Sequence, residues 1–504
     1  MHYVSLIVEF LRGRPAIVFW AAALSQAFLW VVVPSLFFSS PPGDVATLLA
    51  IGHEFRLGSY LGPPLAFWLG EVAFRLLGVF GVYLLAQACV VVALWAVFTL
   101  GRSIVGTRHA VLAILLMVGV LAFTVPTPEF GPAVLAMPLW ALALLHYWRA
   151  LGEDARGYWF LVAVDLGLLL LTSYAGVLLV VLFAIFTPLT TRGRDAFRHA
   201  EPWIALLLLA LVIFPHAAWL FYSFALVRDA FLESTRGSEW PPVALFAVAL
   251  IASHIGALTM MLLASGWRLR RDDRAPEIDR PPADGAGKLY VYFFAIVPAL
   301  VVLAVAAASG RLGGFDRVTP FVLLTALAVL VAAGDRVHLY RERKVSVTWL
   351  ALLIGPPLIV AASVVVVPWT VAADLETGQP AGAMGRFFAD NFQRRFNRPL
   401  TYIAGDQRLA ARIALASPSR PHLFNGERPE RTPWARTEDL RINGGLLVWP
   451  ATDTAGTPPA AIRAMFPEIV PELPRAFARP IQGRLPLIRI GWAIVRPQGA
   501  PQGR

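Results

Sequence analysis

Residues 15–38 read PAIVFWAAALSQAFLWVVVPSLFF, an uncharged apolar run entered from Arg12 and Arg14. About 20 apolar residues in a helix cross the hydrocarbon core of a bilayer. The run exceeds the roughly 7–15 residues of a signal-peptide core, and no small-residue cleavage site follows it cleanly. It is therefore expected to remain as a first span. Similar runs follow at about 81–100, 109–125, 132–148, 158–172, 175–190, 202–222, 241–266, 290–309, 317–334 and 346–369. With the first they make about eleven segments near spanning length, the pair on either side of Thr172-Ser173-Tyr174 being the least distinct.

Composition agrees. The chain has 504 residues, 58% hydrophobic and 15% charged, with a mean hydropathy of +0.65. Soluble domains are about 45–50% apolar and about 25% charged. Disorder, a disulfide-rich scaffold and a nucleic-acid-binding domain are excluded as the main body. The formal charge of +11 is read as arginine retained on the inner side of a membrane, and nucleic acid is not expected as a partner. The single cysteine, Cys89, lies in an apolar run, so cysteine-based metal sites and intramolecular disulfides are excluded.

With a cytoplasmic N-terminus, the inner loops hold nineteen Lys and Arg and the outer loops six. That asymmetry sets the orientation, and an odd number of spans puts the C-terminus outside. From about Val371 charge, Pro and Gly become frequent. Short alternating runs at 399–404, 446–449 and 487–492 suggest a small mixed α/β domain. The expected organisation is a membrane domain at 1–370, including an outer loop at 39–80, and a soluble periplasmic domain at 371–504.

The outer loop from Ser39 to Phe80 is long for a connection. Val45 to Leu57 reads as an amphipathic helix, and Pro63-Pro64 starts another over Leu65 to Leu77. Asp44 opens the first, in Ser40-Pro41-Pro42-Gly43-Asp44. An Asp there suits an N-cap. It also suits a carboxylate held at the membrane surface as general base for an acceptor hydroxyl or amine. The two roles are compatible.

Asp44 is followed by Leu48-Leu49-Ala50, by 58–69 (GSYLGPPLAFWL) and by Val79-Phe80-Gly81-Val82. Further on come 138–143 (PLWALA), 172–176 (TSYAG), Pro202-Trp203 and 214–219 (FPHAAW). In this order the motifs resemble the GT-C glycosyltransferases related to protein O-mannosyltransferases (glycosyltransferase family 39-like). That superfamily includes bacterial lipid A aminoarabinose transferases. The resemblance covers roughly residues 10 to 370. It implies an all-α polytopic membrane protein, GT-C-like, with a small α/β soluble C-terminal domain, placed in a bacterial inner membrane.

It also implies transfer of a sugar from a polyprenyl-phosphate donor to an envelope acceptor (lipid A, lipopolysaccharide, another lipid or a protein) at the periplasmic face. Asp44 then takes the position of the catalytic residue. The leaving group is an anionic lipid phosphate, which calls for a cation in a poorly hydrated site. The outer arginines Arg56, Arg75, Arg228, Arg236, Arg311 and Arg317 are the candidates for that contact. Glu54, Tyr60, Glu129, Tyr174 and His216 are candidates for the acceptor or the pocket. No cofactor is indicated. A divalent metal or a second carboxylate would have to use Glu54, and His53-Glu54 do not share a helix face. The chain departs from the family pattern at Val45 (Glu elsewhere), Gly62 (His or Lys before Pro-Pro) and Ser173 (Lys before Tyr). These departures bear on donor choice and on activity.

Asp165, His216 and His254 lie within apolar runs, where ionisable groups are costly. Satisfied core contacts are the plainer reading of each. The mixed-charge run Arg268 to Lys288 reads as a solvated loop. Two other functions stay open. A lipid or sugar transporter would need Asp165 rather than Asp44. A noncatalytic envelope-assembly protein would need the tail and tolerate Asp44 substitutions.

Overall fold

The computed structural model describes residues 9–234, 241–265, 277–310, 319–339, 341–451 and 453–498. Contacts divide the chain into two compact units. The first comprises Met1–Val32, Leu61–Leu65 and Tyr83–Leu358; the second comprises Val33–Tyr60, Ala66–Val82 and Ile359–Arg504. Much of the outer loop thus belongs to the same unit as the tail.

Among the described residues, six helices are long and apolar enough to cross a membrane: Pro15–Phe37, Leu65–Met117, Pro132–Leu151, Glu201–Glu233, Gly285–Ser309 and Glu342–Thr370. Pro242–Ser253 and Ile255–Ala264, bent by 44°, make a seventh if they form one span. The runs read at 158–172 and 175–190 are helices of 13 and 14 residues, Tyr158–Leu170 and Gly176–Leu189. The runs at 81–100 and 109–125 share the 53-residue stretch Leu65–Met117, where Gly78 and Gly106 take positive φ (64° and 76°). Glycine alone adopts that conformation without steric cost, so these are the places where the stretch departs from a regular helix.

Of the six spanning-length helices, Pro132–Leu151 is the most enclosed. Its Tyr147 ring stacks on Phe183 at 3.9 Å and meets Tyr290 and Phe294 edge-on or tilted at 6.1 Å. The buried hydroxyls are satisfied, as an apolar core demands. Tyr147 donates to Thr187 Oγ1 at 2.7 Å, and Tyr290 donates to the Leu144 carbonyl at 2.6 Å. Two short strands, β1 (Glu277–Asp279) and β2 (Arg336–His338), pair antiparallel. The described end of the run read as a loop is therefore part strand.

The second unit carries a mixed sheet, as the alternating runs predict. Its strands are β3 (Tyr402–Gly405), β4 (His422–Phe424), β5 (Gly445–Pro450), β6 (Pro471–Phe477) and β7 (Ile488–Val495), in the order β4-β3-β5-β7-β6. β4, β3 and β5 are parallel; β7 and β6 join antiparallel. Leu440, Leu447, Trp449, Phe466 and Ala493 form the core on one face. The helix Gln407–Ala416 follows β3 and packs against the helix Val45–Gly52.

Val45–Gly52 differs from the expected surface helix. It ends five residues earlier than Leu57, and all eight of its residues are buried. Gly52 lets it approach the next helix closely, since a Cβ there would stand 2.4 Å from the Phe67 carbonyl oxygen. The chain leading into it is tied down as well. The Ser39 and Ser40 amides both donate to the Thr377 carbonyl, at 2.8 and 3.2 Å.

Candidate functional site

Gly43, at φ 55°, turns the chain after Pro41-Pro42 and delivers Asp44 to the start of the buried helix. Asp44 occupies the N-cap position, and its carbonyl accepts from the Leu48 amide at 2.9 Å. Its side chain makes no capping bond. The carboxylate is 59% exposed and instead meets Arg408 Nε at 3.2 Å. Arg408 stands at the second position of Gln407–Ala416, and its Nη1 lies 3.7 Å from Glu376. Glu376 has a closer partner in buried Arg412, at 2.7 Å. Arg412 also bonds Gln379. The result is an alternating row of charges, Asp44, Arg408, Glu376, Arg412, with its outer end open to solvent.

A second cluster is buried. Glu71, whose side chain is 1% exposed, accepts from Arg75 Nε at 2.8 Å and Arg420 Nη2 at 2.8 Å, and lies 3.0 Å from His53 Nδ1. Arg420 also lies over the Phe74 ring at 4.4 Å, and Arg75 over Phe55 at 4.9 Å. Beside it, Glu54 meets His422 Nδ1 at 2.6 Å, and the His53 and His422 rings are 5.7 Å apart. The hydrogen bond to Glu54 raises the His422 pKa, burial opposes it, and the Glu54 charge adds to the rise.

The sign follows from linkage. A histidine raised in the folded state stabilises the fold fully below its ordinary value of about 6.5. That contribution is lost as pH climbs through the raised folded value. The melting temperature of wild type should therefore exceed that of His422→Gln at pH 6, with the gap closing by pH 9. A constant gap across that range would refute a charged His422.

Tyr60 bonds the Gln407 amide, and Arg431 lies over its ring at 4.9 Å. Burial pushes its phenol pKa up, so it stays neutral. Tyr60, Gln407, Leu423, Asn425 and Thr432 line a small cavity of about 350 Å³ including its open mouth.

The other candidates separate. Arg56 is exposed, and its carbonyl accepts from Trp68 Nε1 at 2.9 Å. Arg75 is committed to Glu71. Arg228 pairs with its neighbour Asp229 at 3.0 Å on the helix Glu201–Ser234. Arg236, Arg311 and Arg317 lie outside the described residues. Glu129 is half-buried in the turn after Pro126. Tyr174 and His216 are brought together in the first unit, with Oη 3.3 Å from Nε2 and Trp219 stacked on the imidazole at 5.5 Å. Asp165 contacts His146 at 2.6 Å, and His254 contacts Thr325 at 2.9 Å. Both are satisfied core groups.

Sequence reasoning missed Arg408, Arg412, Arg420, His422 and Gln407, all supplied by the tail. The one local signal is Asp406, an N-cap accepting from the Leu409 amide at 2.9 Å, which sets Arg408 in the first helical turn. Among the described residues no group of three or more His, Cys, Asp or Glu is placed to hold a metal. Asp44, Glu54 and Glu71 each already face an arginine or histidine.

Residues 62–219 match the family model described as dolichyl-phosphate-mannose-protein mannosyltransferase. No curated protein sequence matches the chain. Among solved structures, the chain is similar to ArnT from Cupriavidus metallidurans bound to undecaprenyl phosphate. That match has 14% identity and a TM-score of 0.58, covering 97% of this chain and 99% of that one. The apo structure of the same protein matches with 14% identity and a TM-score of 0.57, covering 98% and 100%. At this identity the likeness is one of fold, and it extends through both units.

Proposed function

We propose that this chain, which has the GT-C glycosyltransferase fold, moves a sugar from a polyprenyl-phosphate donor to an envelope acceptor at the outer face of a bacterial inner membrane. The observation that carries the reading is Asp44, a half-exposed carboxylate left uncommitted to its own helix and set beside a cation. A similar fold that binds undecaprenyl phosphate supports the donor class. The acceptor belongs to the lipid, glycolipid or protein of the envelope.

In this reading Asp44 accepts the proton of an acceptor hydroxyl. The hydroxyl oxygen bonds to the anomeric carbon as the bond from that carbon to the phosphate oxygen breaks. The electron pair leaves with the phosphate, and the anomeric configuration inverts. A carboxylate within hydrogen-bond reach of the hydroxyl is what such a base requires. Arginine stabilises the departing anion best where water is scarce. The reaction as written draws on no divalent metal.

The test is transfer by the full chain in lipid nanodiscs. Radiolabelled polyprenyl-phosphate sugars are offered with total envelope lipid, with and without EDTA. Label should move from one donor to lipid, equally in both conditions. Absence of transfer from every donor would remove the enzymatic reading. Loss of transfer in EDTA alone would remove the metal-free form of it.

A further inference from the structure

We propose that Arg408 is the residue that meets the donor's phosphate, and that its pair with Asp44 is a resting contact which the lipid phosphate displaces. The inference rests on the transferase reading above and gives that site its missing cation. Two of the described outer arginines expected in that role are committed elsewhere. Arg75 is bound to a buried carboxylate and Arg228 to its own neighbour.

Arg408 differs in three ways. Its side chain is 61% exposed. It touches Asp44 through Nε alone, at 3.2 Å, while its Nη1 is 3.7 Å from Glu376, beyond a good hydrogen bond. Glu376 does not depend on it, since Arg412 holds that carboxylate at 2.7 Å. Arg408 can therefore turn its fork away without leaving a buried charge unpaired.

The energetics favour exchange. An exposed ion pair contributes about 0–1 kcal/mol, so little is lost in opening it. A phosphate accepts two parallel guanidinium bonds, a better match than one carboxylate oxygen. The donor phosphate is a diester with one negative charge. The leaving phosphate is a monoester, which carries about −1.5 to −2 at pH 7. Arg408 thus holds the group more tightly as the glycosidic bond breaks, which is the direction that accelerates the step. The same exchange frees Asp44 to accept a proton only when a donor is present. Once the product lipid departs, Arg408 returns to Asp44.

The test is binding of undecaprenyl phosphate to the full chain in nanodiscs, by titration calorimetry, with each variant checked by size exclusion and melting temperature. Arg408→Ala should weaken binding about ten- to hundredfold, the scale of hydrogen bonds to a charged group. Arg408→Lys should fall between, because it keeps the charge and loses the fork. Asp44→Asn should bind more tightly than wild type, by up to about fivefold, because the competing carboxylate is gone. These opposite signs separate exchange from a merely structural pair, whose loss would move both variants the same way. Wild-type affinity in Arg408→Ala would overturn the phosphate contact, as would wild-type affinity in Arg408→Gln if the alanine variant is unstable. Asp44→Asn binding no tighter than wild type would overturn the exchange. If wild type binds no polyprenyl phosphate, the transferase reading itself falls. If it binds and only the Arg408 arms fail, that reading stands and this inference does not.

Discussion

Asp44→Asn lowers sugar transfer by about 10²–10⁴-fold while the protein still folds, the range that positioned proton transfer supplies. The substitution keeps the size of the side chain and removes its ability to take a proton. Folding should survive because Asp44 makes no capping bond, and the contact it loses is an exposed ion pair. That pair is worth at most about 1 kcal/mol. The measurement is single-turnover transfer with saturating donor, beside the melting temperature of each protein. Equal rates would take Asp44 out of the chemistry. An Asp44→Glu variant refines the test, since it keeps the base and displaces it by about one bond length. Partial activity there, against none for Asn, would mark position as well as charge.

Glu71→Gln acts on stability instead. The Glu71 carboxylate is 1% exposed and balances two arginines beside His53. Removing one partner of a buried pair leaves the other charges uncompensated and costs about 3–5 kcal/mol. Arg420 suffers most, being 17% exposed and held over the Phe74 ring. Thermal unfolding should show a large loss of melting temperature, with poor recovery from membranes. A melting temperature within a degree or two of wild type would show that the cluster is better hydrated than its geometry says. Glu71→Gln with Arg420→Met should recover part of the loss, because the uncompensated cation goes with its partner.

The membrane half was legible because length and apolarity alone define a span. The runs at 15–38, 132–148, 290–309 and 346–369 all became long helices. The number of spans was harder to read, because the packed helices Tyr158–Leu170 and Gly176–Leu189 are as apolar as spans but shorter. Three of the tail strands, at 402–405, 445–450 and 488–495, were legible from the alternating runs at 399–404, 446–449 and 487–492. The place of Asp44, at the start of a helix after the first span, was legible. Its partner was not. Arg408 looks like any arginine of the tail, and the neighbouring bonds from tail to loop join residues 347–371 apart. No local pattern encodes such a pairing. The same distance explains why Val45 to Leu57 was read as an amphipathic helix, since the helix that covers Val45–Gly52 comes late in the chain.

That separation also sets an order of events during synthesis. Glu71 waits for a partner 349 residues downstream, and Glu54 for one 368 residues downstream. At about 5–20 residues per second the interval is roughly 20–70 s. Through it, the loop bearing Asp44 has left the ribosome without Arg408, His422 or Arg420. The carboxylate therefore acquires its surroundings only after the tail has emerged and folded back onto it. A nascent chain stalled before residue 400 would carry its long apolar helices and still lack the side chains that surround Asp44.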